Sequence, residues 1–249
     1  TENSRDFWLL ADGDKLPVSS ATHYTGGFTY ELGRWVFDAE AYYKELSGLS
    51  EYSLRFDVNP FRIDYSENFF KGRGYAKGID LLLQRNGKKF TGWVGYTLGE
   101  VKHQYDVYGS DYFYASNDVT HEFKMVGMWK VGRWDLSGTW IFATGKPYTA
   151  PKGGYQLTLL DGTTADYLTV TTKNGLRLPD YHRMDISAIY NFYDIDKVKK
   201  GSVALSLFNL YGRENVWYKN YEIVDNSVSE TDVNYFGFTP NITLNWIIR

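Results

Sequence analysis

The chain has 249 residues, a net charge of −3 and no cysteine. It therefore offers no disulfide, thiolate metal site or cysteine nucleophile, and it lacks the basic excess typical of nucleic-acid binding. Aromatic residues make up 18% of the chain, with 22 Tyr against only 6 Pro, and this mixture favours β structure with aromatic contacts between strands.

Apolar and polar residues alternate with a period of two along most of the chain, which is the pattern of β-strands. Nine segments are predicted as strands, in chain order 23–32, 35–44, 74–84, 92–100, 121–131, 134–143, 181–192, 202–211 and 238–248. The alternation is weak only in 202–211. Most of these segments exceed the ~5–6 residues usual in soluble proteins and match the ~9–11 that a tilted strand needs to cross a membrane.

The connections between these segments alternate strictly between short and long. The short ones are 33–34, 85–89, 130–134 and 193–201, and the long ones are 47–72, 105–117, 145–180 and 213–236. A meander with short turns at one end and long loops at the other is typical of outer-membrane barrels. A soluble sandwich has no reason to sort its loops in this way.

The segment 181–192 illustrates the question of which face meets which environment. His182, Met184 and Ile186 begin an apolar series, whereas Arg183 and Asp185 lie on the other face. Periodicity alone fits both a soluble sheet with an apolar core and a membrane barrel with its apolar face in lipid. Strand length and loop order favour the second, so we predict an all-β fold, an antiparallel transmembrane β-barrel.

Charged residues on the polar faces are predicted to point into the lumen of this barrel, because a charge facing lipid at the membrane midplane costs ~2–4 kcal/mol. There they could bind a solute, line a channel or pair with a protein segment inside the barrel, and their spacing leaves all three open. Lys77 falls on an apolar face and is expected near a rim, where its amine can reach water. The predicted lumen-facing charges are Asp38, Glu40, Asp80, Glu122, Lys124, Arg183 and Asp185.

Two of the long loops are rich in aromatic residues, and flat rings with a hydrogen-bonding tip are suited to recognition of a sugar, chelate or peptide. Loop hairpins that fold on one another, or an outer aromatic girdle, would produce the same composition. The candidate ligand-binding residues are Tyr108, Tyr112, Phe113, Tyr114, Trp217, Tyr218 and Tyr221.

No catalytic or cofactor site is expected. The chain contains no Gly-x-Ser-x-Gly motif and no complete phosphate-binding loop, and its four His residues are not spaced as metal ligands. Acidic stretches at 12–14 and 225–232 lack the ligand order of a calcium loop, and they are interpreted as solvated loop acids.

Several longer segments resemble TonB-dependent outer-membrane receptors, especially those of the Bacteroidetes group. The residues that carry the resemblance are "RLPDYHRMDISAIYNF" (177–192), "VALSLFNLYGRENVWY" (203–218) and "FTPNITLNWIIR" (238–249), supported by "FDAEAYYKELSGL" (37–49) and "ATGKPYTAPKGGYQLTLLDGT" (143–163). Asn209, Leu210 and Tyr211 stand where that family has Asn-Leu-aromatic before its last extracellular loop. The resemblance spans nearly the whole chain and is strongest from residue 134 onward.

The resemblance implies a 22-stranded barrel with a plugged lumen, which imports a scarce ligand with energy delivered through TonB. Residues 1–249 would be the C-terminal part of that barrel, with about nine strands, and the plug domain and earlier strands are expected outside this chain. The implied partners are the rest of the receptor, the TonB complex through the plug, outer-membrane lipid, the ligand (iron chelate, cobalamin, oligosaccharide or peptide) and a possible surface lipoprotein. A passive porin-like channel and a structural or adhesive barrel are the alternatives.

Overall fold

The computed structural model describes residues 10–13, 16–53, 68–158, 160, 162–170, 172–224 and 227–248. Within these ranges the chain forms one 3₁₀ turn (Asp106–Tyr108) and sixteen strands. The strands are β1 (Ser20–Leu32), β2 (Trp35–Tyr52), β3 (Phe69–Asn86), β4 (Phe90–Tyr105), β5 (Phe113–Tyr114), β6 (His121–Val131), β7 (Trp134–Ala143), β8 (Pro147–Tyr148), β9 (Pro151–Thr158), β10 (Thr164–Val170), β11 (Leu176–Arg177), β12 (Tyr181–Tyr193), β13 (Lys199–Phe208), β14 (Val216–Val224), β15 (Ser227–Asn234) and β16 (Thr239–Trp246). No helix in these ranges has the length and apolar character needed to cross a bilayer.

One large antiparallel sheet organises the chain. Its strand order is β1-β2-β3-β4-β6-β7-β12-β13-β16, and the short β5 pairs with β4 beside this path. These nine path strands are the nine predicted segments, so the predicted meander is confirmed. The weakly alternating segment 202–211 is also a strand, because β13 pairs along its length with both β12 and β16.

The connections confirm the predicted order of short turns and long loops. Residues 33–34, 87–89, 132–133 and 194–198 form the short connections between path strands. Two of these turns place glycine in the left-handed region, with φ of 62° at Gly33 and 61° at Gly132, where only glycine avoids a steric cost. Successive connections in a meander lie at opposite ends of the strands, so the short turns share one end and the long loops share the other.

The register sorts side chains onto two chemically different faces. One face, called the outer face below, carries large apolar side chains on every path strand, and Phe28, Leu83, Met125, Leu205 and Ile242 are between 44% and 74% exposed. Within the described residues the only large or branched apolar side chains that are buried are those of Tyr105 and Ile223, and the smaller Ala115 and Pro147 are buried as well. No second layer formed by the described part of the chain covers the outer face, which contradicts the soluble-sandwich alternative and fits a face in contact with lipid.

Aromatic side chains mark both ends of the outer face. Near the short turns, Trp134 lies 4.9 Å from Tyr190 between ring centroids, and near the long loops Tyr43 stacks on Tyr75 at 6.2 Å. Along β2, Tyr43 comes eight residues after the turn-proximal Trp35. At ~3.4 Å per residue and a tilt of ~40° these two girdles are ~20 Å apart, close to the ~25 Å apolar band of membrane barrels.

Lys77 lies at the loop end of the outer face, as expected from the sequence. Its ammonium group is 3.1 Å from the carboxylate of Glu100, which also pairs with Lys102 at 3.2 Å. The hydroxyl of Tyr75 donates a 2.9 Å hydrogen bond to the same carboxylate. The carboxylate of Glu100 thus offsets part of the positive charge of Lys77 and Lys102 at this end of the outer face.

The two outermost strands of the sheet have free edges. Within the described residues β1 pairs only with β2, and β16 pairs only with β13. Every residue of both strands is exposed. The sheet in the described ranges is therefore open, and each free edge presents unpaired backbone groups to which another strand can be added.

Candidate ligand-recognition surface

The loop between β4 and β6 folds back on strand β4. After Tyr105, a 3₁₀ turn reverses the chain, and β5 then pairs with Lys102 and His103. The rings of Tyr108 and Phe113 meet edge to face at 5.6 Å beside the buried ring of Tyr105. The buried ring of Tyr105 therefore joins this loop to the end of β4.

Tyr114 and Tyr112 occupy different environments in the same loop. The ring of Tyr114 contacts two cations, with Arg177 Cζ at 4.5 Å and Lys102 Nζ at 4.7 Å from its centroid. Tyr112 is exposed and lies 5.4 Å from the ring of Tyr75 at the rim. Tyr114 thus joins loops together, whereas Tyr112 presents its ring to the surroundings.

A buried polar cluster, called the loop latch below, joins this loop to the loop between β7 and β12. Asp118 is 0% exposed. Its carboxylate accepts a hydrogen bond of 2.6 Å from the Val101 N–H and forms an ion pair with Arg177 at 2.5 Å. Asn174, in the left-handed region at φ 51°, donates from its amide to the Tyr114 carbonyl at 2.7 Å. The loop latch consists of Asp118, Asn174 and Arg177, and it fixes the two loops relative to each other.

Glu51, at the end of β2, connects a third element to the same assembly. Its carboxylate accepts hydrogen bonds from the Tyr108 hydroxyl at 2.7 Å and from Lys173 at 2.6 Å. The Lys173 ammonium group also lies 5.4 Å from the Tyr108 ring centroid. The end of β2 and the two long loops after β4 and β7 are therefore tied by charged hydrogen bonds, which are stronger than neutral ones.

The last long loop forms a hairpin of β14 and β15. Trp217 and Tyr218 pack edge to face at 5.2 Å and are both exposed. On the hairpin, Lys219 binds Glu230 and binds Asp232 at 2.7 Å, and the Tyr221 hydroxyl donates to Glu230 at 2.9 Å. The hydrogen bond from Lys219 holds the pKa of Glu230 below its usual value, and burial together with Glu230 raises the pKa of Tyr221.

Two asparagines form the base of this last loop. Asn209 is 0% exposed, has φ 52°, and uses its amide to bond the Arg213 carbonyl at 2.8 Å and the Arg213 N–H at 3.1 Å. The side chain of Asn215 bonds both backbone groups of His182, at 3.1 and 3.0 Å. These amides continue the backbone hydrogen bonding where the sheet ends, and they explain why Asn occurs at these positions.

The candidate ligand-binding residues thus fall into two separate groups. Tyr108, Tyr112, Phe113 and Tyr114 belong to the folded loop after β4, and Trp217, Tyr218 and Tyr221 belong to the β14–β15 hairpin. Ring contacts among the described residues connect members within each loop but do not connect the two groups.

The seven candidate lumen charges share the face opposite to the outer face. Glu40, Asp80 and Glu122 lie in one cross-strand row through Thr97, and Asp38, Lys124 and Arg183 lie in the next row. Most of these charged side chains already form a hydrogen bond or an ion pair with another side chain on this face. The list of their contacts is Thr29 to Asp38 at 2.5 Å, Thr97 to Asp80 at 2.5 Å, Lys124 to Glu122 at 2.7 Å and Arg183 to Asp185 at 3.0 Å.

Sequence reasoning missed the residues that fix the loops. The loop latch, Glu51 and Asn215 were not singled out, because their partners are far away in the chain; Arg177 and Asp118, for example, are 59 positions apart. Asn209 could be noticed in the sequence, because it is the first residue of the Asn-Leu-Tyr stretch that resembles the receptor family. No group of three or more His, Asp or Glu residues in the described ranges could hold a metal; Asp14, Asp225 and Asn226 of the acidic stretches lie outside those ranges.

Comparison with solved structures identifies the architecture. The ferripyoverdine receptor of the outer membrane of Pseudomonas aeruginosa, crystallised with ferripyoverdine bound, matches with a TM-score of 0.54 at 12% identity over 92% of this chain. A structure of P. aeruginosa FpvA with a heterologous pyoverdine matches with a TM-score of 0.53 at 13% identity, also over 92% of this chain. This chain spans 27% of the length of each. No protein-family model and no curated protein matches the sequence.

At such low identity the likeness concerns the fold. The chain has the fold of one section of the barrel of an outer-membrane receptor, about a quarter of the neighbour's length.

Proposed function

We propose that this chain is the C-terminal part of the barrel of a TonB-dependent outer-membrane receptor that imports a scarce ligand. The observation that carries the proposal is a receptor-barrel sheet with an exposed apolar outer face, a charged opposite face and all long loops at one end. In this proposal the chain resides in the cell outer membrane, the short turns are periplasmic, and the long loops face the cell exterior.

The free edges of the sheet support the existence of further strands. Unpaired backbone groups in lipid cost several kcal/mol each, so β1 and β16 require neighbours in a membrane. We propose that the rest of a 22-stranded barrel and a plug supply those neighbours and fill the lumen. Charges such as Arg183 and Glu122 would then meet the plug, and TonB would act through it.

The geometry divides the candidate binding residues by role. Tyr112, Trp217 and Tyr218 are exposed and are proposed to contact the ligand. Tyr108, Phe113, Tyr114 and Tyr221 are half-buried in loop contacts, so they are proposed to hold the loops in a binding conformation. A preformed surface lowers the ordering cost of binding, and the loop latch provides such an arrangement.

The experiment is uptake by cells that carry the full-length receptor, with and without TonB. A panel of labelled iron chelates, cobalamin, oligosaccharides and peptides is offered to both strains. We expect concentrative uptake of one class, lost without TonB. Uptake that persists without TonB, together with steady conductance in planar bilayers, would establish the passive channel instead; adhesion without uptake would establish the structural alternative.

Binding variants then test the proposed surface. Tyr112→Ala and Trp217→Ala are each expected to weaken binding of that ligand about 30-fold, the ~2 kcal/mol of an interface hot spot. Tyr193→Ala is the matched control, because Tyr193 is an exposed aromatic residue at the opposite, short-turn end. Equal affinity in all three variants would contradict the assignment.

A further inference from the structure

The outer face is interrupted by an apolar groove near the short turns. It has a volume of about 440 Å³ and spans strands β2, β3, β4, β6, β7 and β12. Its walls include Leu83, Phe90, Met125, Trp140 and Met184. The volume is within the ~300–1,000 Å³ range of small-molecule sites, and the lining is almost wholly apolar.

The floor of the groove consists of three glycines in register. Gly92 pairs with Gly127, and Gly127 pairs with Gly138, so one row on three adjacent strands has no side chains. A Cβ atom placed on Gly127 would lie 3.6 Å from the Phe90 ring, which leans over this floor. The neighbouring row carries Met125 and Trp140, and the step between the two rows creates the groove.

The groove lies at a definite depth. Gly127 comes four residues before Val131, at the end of β6, and Gly138 four residues after Trp134, at the start of β7. At ~3.4 Å per residue and a tilt of ~40° the floor is ~10 Å from the short turns. That depth corresponds to the acyl region of the leaflet on the short-turn side.

A cation stands at the mouth of the groove. Arg85, at the turn end of β3, lies with its guanidinium 5.7 Å from the Trp35 ring and 5.5 Å from the Phe90 ring. Within the described residues Arg85 forms no ion pair, and the adjacent turn adds the exposed Lys88 and Lys89. An apolar groove with cations at its membrane-interface end is complementary to an acyl chain that bears a phosphate.

We propose that this groove binds one phospholipid of the periplasmic leaflet, with an acyl chain on the glycine floor and the phosphate at Arg85. The inference goes beyond ligand import; it depends on the outer face being in the membrane, and the choice of leaflet rests on the proposed periplasmic position of the short turns. The bound lipid would fill a gap that adjacent side chains leave in an otherwise continuous apolar surface, since unfilled space forfeits dispersion contacts.

The first experiment counts phospholipids retained by the purified full-length receptor, with native mass spectrometry and added palmitoyl-oleoyl phosphatidylethanolamine as the probe. Gly127→Val places its Cβ in ordinary contact with Phe90 and fills the floor, whereas Gly26→Val adds the same group to the outer face of β1 with no atom within 4 Å. We expect one tightly held lipid in the unaltered receptor and in Gly26→Val. Gly127→Val is expected to bind it roughly tenfold more weakly, because the valine displaces about one to two methylenes of the acyl chain and each is worth a factor of about four.

The variant Arg85→Gln tests the contribution of the phosphate to binding separately from that of the acyl chain. It should weaken retention of the phospholipid while leaving retention of the uncharged probe dioleoylglycerol unchanged. Equal retention of phosphatidylethanolamine in the unaltered receptor, Gly127→Val and Arg85→Gln would overturn the proposal, and so would the absence of any retained lipid in the unaltered receptor.

A second experiment uses no variant. A phospholipid with a diazirine on its acyl chain is photolysed in vesicles of phosphatidylethanolamine and phosphatidylglycerol that hold the full-length receptor. The expected adducts concentrate at Met125, Trp140 and Met184. Adducts spread evenly over the outer face would overturn the proposal that the groove binds a lipid, although the outer face would still lie in the membrane. Absence of adducts from the outer face would contradict its placement in the membrane as well.

Discussion

The loop latch makes a prediction whose size follows from its burial. Arg177→Met removes the cation that faces the fully buried carboxylate of Asp118, 2.5 Å away. Removing one partner of a buried ion pair costs ~3–5 kcal/mol, and the lower end applies here because the Arg177 side chain is 30% exposed. The Val101 N–H continues to bond Asp118 and stabilises part of the remaining charge.

The loss should appear as local opening of the loops, because the three latch residues belong to the long loops and not to the path strands. Hydrogen exchange of the full-length receptor, followed on peptides covering 106–120 and 172–178, measures that opening. A change of ~3 kcal/mol corresponds to exchange faster by about two orders of magnitude. Peptides from β6 and β7 should exchange at unchanged rates.

Lys200→Met is the matched control. It breaks the exposed ion pair of Lys200 with Asp194 (3.3 Å) at a short turn, and such pairs contribute only ~0–1 kcal/mol. If Arg177→Met leaves exchange in 106–120 within the range of this control, the buried pair does not hold the loops and the reasoning is refuted.

Three further predictions concern other elements. Asn209→Ala should destabilise the last long loop by ~2–4 kcal/mol, because it removes buried hydrogen bonds and strains a positive φ. Asn209→Gly should cost less, because glycine adopts a positive φ without strain. Protease cleavage within 213–236 on intact cells measures both variants, and equal sensitivity of the two would count against the role of φ. The β14–β15 hairpin should keep its order at neutral pH and loosen as pH falls below the ordinary Glu pKa of 4.5, because Lys219 lowers the pKa of Glu230 and their contact is lost when Glu230 becomes protonated. The pKa of Lys219 is raised, so the stabilisation that its charge provides is lost only above the ordinary Lys pKa of 10.5. Exchange of 216–224, corrected for its intrinsic pH dependence, should show this change in the unaltered receptor and not in Lys219→Met. Ala39→Arg, midway between the two girdles on the outer face, should cost ~2–4 kcal/mol and lower the heat-modifiable barrel fraction in membranes, whereas Asp38→Asn on the other face should leave that fraction unchanged; equal fractions would contradict the face assignment.

The main sheet could be predicted from the sequence because its determinants are local. Period-two alternation follows from strand geometry, and short turns such as Gly33-Arg34 leave little freedom in how adjacent strands pair. Even β13, whose own alternation is weak, is held as a strand by pairing with β12 and β16. For the same reason the shared face of the candidate lumen charges followed from counting residues.

The long loops could not be predicted in the same way. Their hairpins and the short β5 depend on contacts between distant residues, such as Asn174 with Tyr114, 60 positions away. Composition indicated aromatic loops but did not distinguish rings packed within the loops, such as Phe113, from rings that remain exposed, such as Trp217. The groove was also invisible in the sequence, because it arises from glycines aligned by register across three strands.

The central claim is that the outer face of the sheet contacts lipid while the charged face lines the lumen. Single cysteines are placed along β12 of the full-length receptor in membranes and spin-labelled; this chain has no cysteine of its own, and any cysteine elsewhere in the receptor is first replaced by serine. Labels at 184, 186 and 188 should collide with oxygen dissolved in the bilayer, and labels at 183, 185 and 187 should be shielded from it, so accessibility should alternate with a period of two. Uniform accessibility along β12, or the reverse alternation, would contradict the account.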